Sequence, residues 1–267
     1  MRYVWLGWAG VALEHDGAVL VIDPLADPTG LYAAIPGRIS EVSFPEVVPA
    51  PSGAIGALLT HLHRDHADAG ALSASLAPGA PILASAQFPY AGRSDFGIAQ
   101  AQAELSAAGL MVQELNAWNS VTLGPFTVTA LPAADGTGES QLSWAVEAGG
   151  RRIFHAGDTV FHSWWWPIAE AAGPFDVAFL PINGAVVNFP WRQPASDLPA
   201  AMTPMQAVTA ATALGAAVTV PIHYGGFALD PFYHPVTDAL EQFCATAADR
   251  GMVIDIPARG EWSPDGD

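Results

Sequence analysis

The chain has 267 residues, 51% hydrophobic and 13% charged, enough for one large α/β domain with a substantial core. Its formal net charge is −17 and its nine basic residues are all arginines, a poor match to phosphate polyanions or anionic lipid, so neither nucleic acid nor a membrane surface is an expected partner. No apolar run reaches the ~20 residues that span a bilayer, the start from Met1 to Gly17 lacks a cleavage site, and one cysteine, Cys244, excludes an internal disulfide. A cytoplasmic location is expected by default, and a homo-oligomer is left open.

Tyr3–Leu6, Val11–Glu14 and Ala18–Ile22 read as strands, with Asp16-Gly17 turning between the last two. Residues 24–52, rich in Pro, Gly and Ala, read as a long surface loop near a site. Strand Ala57–Thr60 leads into His61-Leu62-His63-Arg64-Asp65-His66, followed by a helix over Asp68–Leu76 that Pro78-Gly79 ends. Strand Pro81–Ala84, helix Ile98–Ala108 and strand Met111–Leu115 come next, then strands Ser120–Leu123, Phe126–Leu131, Gln141–Glu147 and Arg151–His155. The second half continues with strand Val177–Leu180, helix Pro204–Leu214, strand Val218–Val220, helix Val236–Arg250 and strand Val253–Ile256. Thr203 is placed to cap the helix at Pro204, with Gln206 three residues on, and Gly215 to end it. Two strand-rich halves with interspersed helices predict a sandwich of two sheets with helices outside, in one domain over residues 1–267.

The segment His61–His66 carries the chemistry. Three imidazoles and a carboxylate within six residues are rarely gathered for packing, because His and Asp are costly to bury unpaired. Side chains two apart on an extended segment point the same way, so His61 and His63 can grip one ion while Asp65 and His66 face a second. Imidazole nitrogen with carboxylate oxygen is the ligand set of catalytic zinc or a similar ion.

This H-x-H-x-D-H hexapeptide resembles the signature of metallo-β-lactamase-fold hydrolases, and further segments of that superfamily follow in order. Phe154-His155-Ala156-Gly157-Asp158-Thr159 looks like its G-D-T segment, Pro221-Ile222-His223-Tyr224 like its P-x-H-Y segment, and Leu131-Pro132-Ala133-Ala134-Asp135-Gly136 like its P-A-x-H segment, with Asp135 at the His position. The resemblance covers nearly the whole chain and implies a four-layer αββα sandwich. It implies that His61, His63 and Asp135 hold one divalent ion, that Asp65, His66 and His223 hold the other, and that Asp158 bridges them. Zinc is the expected metal, with manganese or iron as alternatives, and Asp65 is the expected catalytic residue, orienting the nucleophile and taking up a proton. Asp135 reads two ways: as an oxygen ligand that makes the site more anionic, or as a turn residue before Gly136. Glu139 is a backup ligand.

Trp5-Leu6-Gly7-Trp8-Ala9-Gly10, Ile22-Asp23-Pro24, Leu180-Pro181-Ile182-Asn183-Gly184, and Met202-Thr203-Pro204 look like the L-ascorbate-6-phosphate lactonase-like branch. That branch often carries His where Trp8 stands and Arg where Ala185 stands, so it speaks to reaction class more than to substrate. The expected activity is metal-dependent hydrolysis of a small lactone, ester or related carbonyl compound. The alternatives are a phosphodiesterase using some of Arg38, Arg93 and Arg192, and a non-catalytic ligand-binding relative. His155 is read as supporting the site or ending a strand, His15 as exposed, His162 and His234 as unligated, and Trp164-Trp165-Trp166 as mainly packing, with Trp191 and Arg192 as substrate contacts.

Overall fold

A computed structural model of the protein describes residues 1–28, 45–86, 96–190, 193–226 and 228–264. Residues 29–44 of the expected loop, with Arg38, Arg93, Trp191 and Arg192, lie outside them. In the first half, β1 (Arg2–Gly7), β2 (Gly10–His15), β3 (Ala18–Ile22), β4 (Gly56–Leu58), β5 (Ile82–Ser85) and β6 (Val112–Leu115) form a six-stranded sheet in chain order. Helices α1 (Ala69–Ser75) and α2 (Phe96–Ala107) supply the crossovers flanking β5. The pairing is antiparallel from β1 to β3 and parallel from β3 to β6.

The second sheet holds β7 (Ser120–Leu123), β8 (Phe126–Pro132), β9 (Leu142–Ala148), β10 (Arg151–His155), β11 (Val177–Pro181) and β13 (Val218–Ile222), in the order β13-β11-β10-β9-β8-β7. Helices α3 (Trp165–Ala172), α4 (Pro204–Leu214) and α5 (Ala239–Asp249) accompany it, and β12 (Val186–Val187) pairs with β14 (Tyr233–His234).

Alternation along the strands sorts side chains into layers. In β1, Tyr3 and Trp5 join Phe126, Val128, Trp144, Val177 and Phe179 between the sheets, while Val4 and Leu6 face Leu72, Ile98, Ala101 and Leu105 of α1 and α2. In β11, Phe179 points inward and Ala178 and Leu180 point out, against Trp165 of α3, Ala207 and Val208 of α4 and Phe243 of α5. The layers run helix, sheet, sheet, helix, as the resemblance implies.

Thr203 accepts the Gln206 N–H while the Gln206 side chain accepts the Thr203 N–H, and Gly215 closes α4 at φ 65° in the left-handed region; both local signals were legible. Three expectations need correction. Helix α5 begins at Ala239 rather than Val236, after Asp238 in a left-handed conformation. Val253–Ile256 is not a strand and pairs only through one bridge, Thr219 with Ile254. Helix α3 was not expected; Pro167 is tolerated in its first turn, where a missing N–H breaks no intrahelical bond. Of the Trp triplet, Trp165 is fully buried whereas Trp164 and Trp166 are 47% and 57% exposed. Among the described residues no helix is long and apolar enough to cross a membrane.

Candidate metal centre

The centre starts at the end of β4. Leu59 N–H donates to Leu83 O, carrying the sheet one residue further, and Thr60 O then accepts the Leu142 N–H from the opposite sheet. Buried Asp23, just past β3, accepts Thr60 N–H at 2.8 Å and Thr60 Oγ1–H at 2.6 Å. Thr60 is thus held by both sheets, and the next residue, His61, starts from a fixed backbone. The chain then turns, with His66 N–H and Ala67 N–H both donating to His63 O. Asp68 caps α1 through Gly70 and Ala71 N–H, so the loop is clamped at both ends.

The structure brings all seven expected ligand residues together at one end of the two sheets, in three clusters of donor atoms within 4.8 Å of one another. In one, His66 Nε2 lies 3.3 Å from His223 Nε2, and Asp65 Oδ2 lies 3.6 Å from each. Four ligands about 2.0–2.2 Å from a tetrahedral zinc would be spaced about 3.3–3.6 Å apart. In a second, His63 Nδ1 lies 2.8 Å from His61 Nε2 and 3.8 Å from Asp135 Oδ2. Asp158 faces both groups, Oδ1 at 3.7 Å from His61 Nε2 and Oδ2 at 4.0 Å from His223 Nε2.

The electrostatics favour a cation. Burial pushes Asp158 up to about 7, with Asp135 and Asp65 adding to the shift. Burial also drives His61 well below its ordinary range and His223 down to about 4. For His66 burial acts the same way, but the carboxylates of Asp65 and Asp23 outweigh it and push the imidazole up to about 10. Crowded carboxylates beside the neutral imidazoles of His61 and His223 form a donor set for divalent ions, and a cation bound there would displace the proton that the carboxylates hold on His66.

The two oxygens of Asp135 have different surroundings. Oδ1 accepts from Thr137 N–H and, at 2.7 Å, from Thr137 Oγ1–H, which makes the turn. Oδ2 is buried with no hydrogen-bond partner among the described residues and faces His63. An unmet buried carboxylate oxygen is costly, and a bound ion would satisfy it. Asp135→Asn keeps the turn-forming oxygen and replaces the inward one with an amide. It should therefore lower zinc affinity with little change in unfolding midpoint; equal affinity in chelator competition would leave Asp135 a turn residue only. Glu139 belongs to none of the donor clusters among the described residues.

Sequence reasoning missed Asp23, Trp8 and Gln141 as partners of these side chains, and read His155 as supporting the site or ending a strand. Asp23 Oδ2 lies 2.7 Å from His66 Nδ1; with the carboxylate accepting that ring proton, Nε2 is left to face the centre. Trp8 Nε1–H donates to Asp65 Oδ2 at 3.0 Å. Gln141, with its amide turned to satisfy both ends, donates to Asp158 Oδ1 at 3.0 Å and accepts from Thr159 N–H at 3.1 Å. Buried His155 lies with Nε2 2.8 Å from Ala9 O and accepts the Gly157 N–H at Nδ1, fixing the turn before Asp158.

The other histidines are apart from the clusters. His15 is half-buried rather than exposed, its ring filling the space where Gly149 lacks a side chain. His162 stacks on Trp165 at 4.2 Å, nearly parallel, and burial pushes it down to about 4. In the unfolded chain a histidine protonates near 6.5, so between about 6.5 and 4 the unfolded state binds the extra proton and stability falls as pH drops. His162→Phe keeps a ring in the stack and removes this site, so its melting temperature should fall less than that of wild type across that window. Parallel curves would show that His162 contributes no pH dependence.

A fold of two packed sheets with external helices, and a His/Asp centre on the loops at one edge, defines the class. Residues 20–224 match the beta-lactamase superfamily domain, so the chain belongs to that family. It is 29% identical to a UPF0173 metal-dependent hydrolase of Methanosphaerula palustris over 97% of this chain and 98% of that one. Its fold is similar to that of an isothiocyanate hydrolase from Delia radicum gut bacteria (TM-score 0.68, 18% identity, 99% of each chain). A metallo hydrolase of Ignicoccus hospitalis is also similar (TM-score 0.63, 19% identity, 98% of this chain and 97% of that one).

Proposed function

We propose that this metal-dependent hydrolase of the beta-lactamase superfamily uses two divalent ions to cleave a small, uncharged lactone, ester or related carbonyl compound. The observation that carries the two-ion reading is Asp158, whose two oxygens each face a different donor group. His61, His63 and Asp135 would hold one ion and Asp65, His66 and His223 the other. When bound, such a pair supplies Lewis acidity and a water whose pKa falls toward about 7.

The chain's own residues do the rest. Asp65 orients the attacking water and takes up its proton, which returns to the leaving oxygen as the acyl C–O bond breaks. Fixed ligands spare the site reorganisation at that step. Zinc suits the mixed nitrogen and oxygen donors, and the three carboxylates in the set leave manganese and iron as alternatives.

Among the described residues, the placement of cations favours a neutral carbonyl substrate over a phosphodiester; Arg38, Arg93 and Arg192 lie outside them. Ala185, where the related branch often has Arg, is buried in the core between the sheets. Among the described arginines, Arg2, Arg64, Arg152 and Arg259 pair with Glu14, Glu104, Glu147 and Glu46, Arg151 donates to Met1 O, and Arg250 is exposed at the end of α5. The test is a panel of lactones and aryl esters against bis-p-nitrophenyl phosphate, with added zinc or manganese and with His61→Ala as control. Carbonyl turnover lost in His61→Ala supports the reading. Faster phosphodiester cleavage would replace it with the phosphodiesterase alternative, and ligand effects surviving unchanged without metal would leave a non-catalytic binder.

A further inference from the structure

Trp8 is no member of any donor cluster, yet it meets one of them at three points. It lies in the turn between β1 and β2 at φ 49°, a left-handed conformation that is unfavourable for a non-glycine residue. Its carbonyl accepts the His223 N–H at 2.9 Å, and also the Trp5 indole N–H at 3.0 Å. Its indole ring lies 3.9 Å from the His223 imidazole, and its Nε1–H donates to Asp65 Oδ2. His223 itself is left-handed at φ 56°, so its backbone also needs outside support. Trp8 is 2% exposed, and Gly226 makes room for it: a Cβ there would lie 2.4 Å from the indole Cζ3.

We infer that Trp8 is a positioning residue for the Asp65, His66 and His223 half of the centre, and that it sets the affinity of that half alone. The inference rests on the two-ion reading above. An indole nitrogen donates and cannot ligate, so Trp8 acts through its neighbours. Its N–H fixes the direction of Asp65 Oδ2, and its carbonyl and ring fix where His223 Nε2 points. None of these contacts with Asp65 and His223 involves His61, His63 or Asp135. Outer partners of this kind change metal affinity by about 10–100-fold.

The test starts from zinc-loaded, full-length protein and follows release of each equivalent against a graded chelator. Wild type should release two equivalents. Trp8→Phe keeps an aromatic ring and removes the N–H; one equivalent should leave at roughly ten-fold lower chelator, the other at the wild-type concentration. Gly226→Ala displaces the indole without altering it and should shift the same equivalent, which decides the matter if Trp8→Phe does not fold. In cobalt-loaded protein the visible absorption of that equivalent alone should change in both variants. Two equivalents released as in wild type from both variants, or both equivalents weakened together, would overturn the role of Trp8. Fewer than two equivalents in wild type would instead overturn the two-ion reading, and this inference with it.

Discussion

Asp158→Ala should reduce bound metal from two equivalents to one or none, and lower kcat/KM on the best substrate of the panel by more than about 100-fold. The loss exceeds the 10–100-fold typical of an outer partner, because one carboxylate faces both halves of the centre, through Oδ1 to His61 and Oδ2 to His223. Removing it also leaves the Gln141 amide without its acceptor. Asp158→Asn, which retains one oxygen, should hold one equivalent more firmly than Ala does. Metal per chain by element-resolving mass spectrometry, with hydrolysis rates beside it, checks both. Two equivalents in the Ala variant would mean that Asp158 does not bridge.

Asp23→Ala should destabilise the fold by about 3 kcal/mol and weaken zinc binding by about 10–100-fold. Asp23 is fully buried and takes three hydrogen bonds, from Thr60 N–H, Thr60 Oγ1–H and the ring of His66. Alanine leaves those donors facing an empty space in the interior. Asp23→Asn separates the two effects. Its oxygen can still accept from Thr60 N–H, so the stability loss should be smaller. Its amide N–H would point at His66 Nδ1 and favour the tautomer that carries the proton on Nε2, toward the metal. Zinc affinity should therefore fall in Asn nearly as far as in Ala. Urea unfolding and chelator competition measure the two quantities; an Asn variant that binds zinc like wild type would refute the tautomer argument.

Much of the His/Asp cluster was legible because its residues come as short-range patterns. His61, His63, Asp65 and His66 lie within one loop, and Asp158 and His223 each follow an apolar strand, β10 and β13. Capping of α4 by Thr203 and Gly215 was likewise readable, since a cap is satisfied within a few residues. Helix α3 was not, because its aromatic start also reads as plain core packing, and only Trp165 in fact packs there. The irregular end of the chain at Val253–Ile256 has the composition of a strand but only one bridging partner.

By itself the sequence determined which residues could ligate a metal, which strand faces are apolar, and hence a two-sheet sandwich with helices outside. Period-two alternation and local turn chemistry are properties of neighbouring residues. Tertiary structure decided what holds the ligands: Asp23 with His66 across 43 positions, Trp8 with Asp65 across 57, and His223 with His66 across 157. It also gave the two oxygens of Asp135 different surroundings, one accepting in the turn and one buried without a hydrogen-bond partner and facing His63. A side chain's spacing limits where it can point, but its partner is fixed only when the two sheets pack and carry distant loops to the same edge.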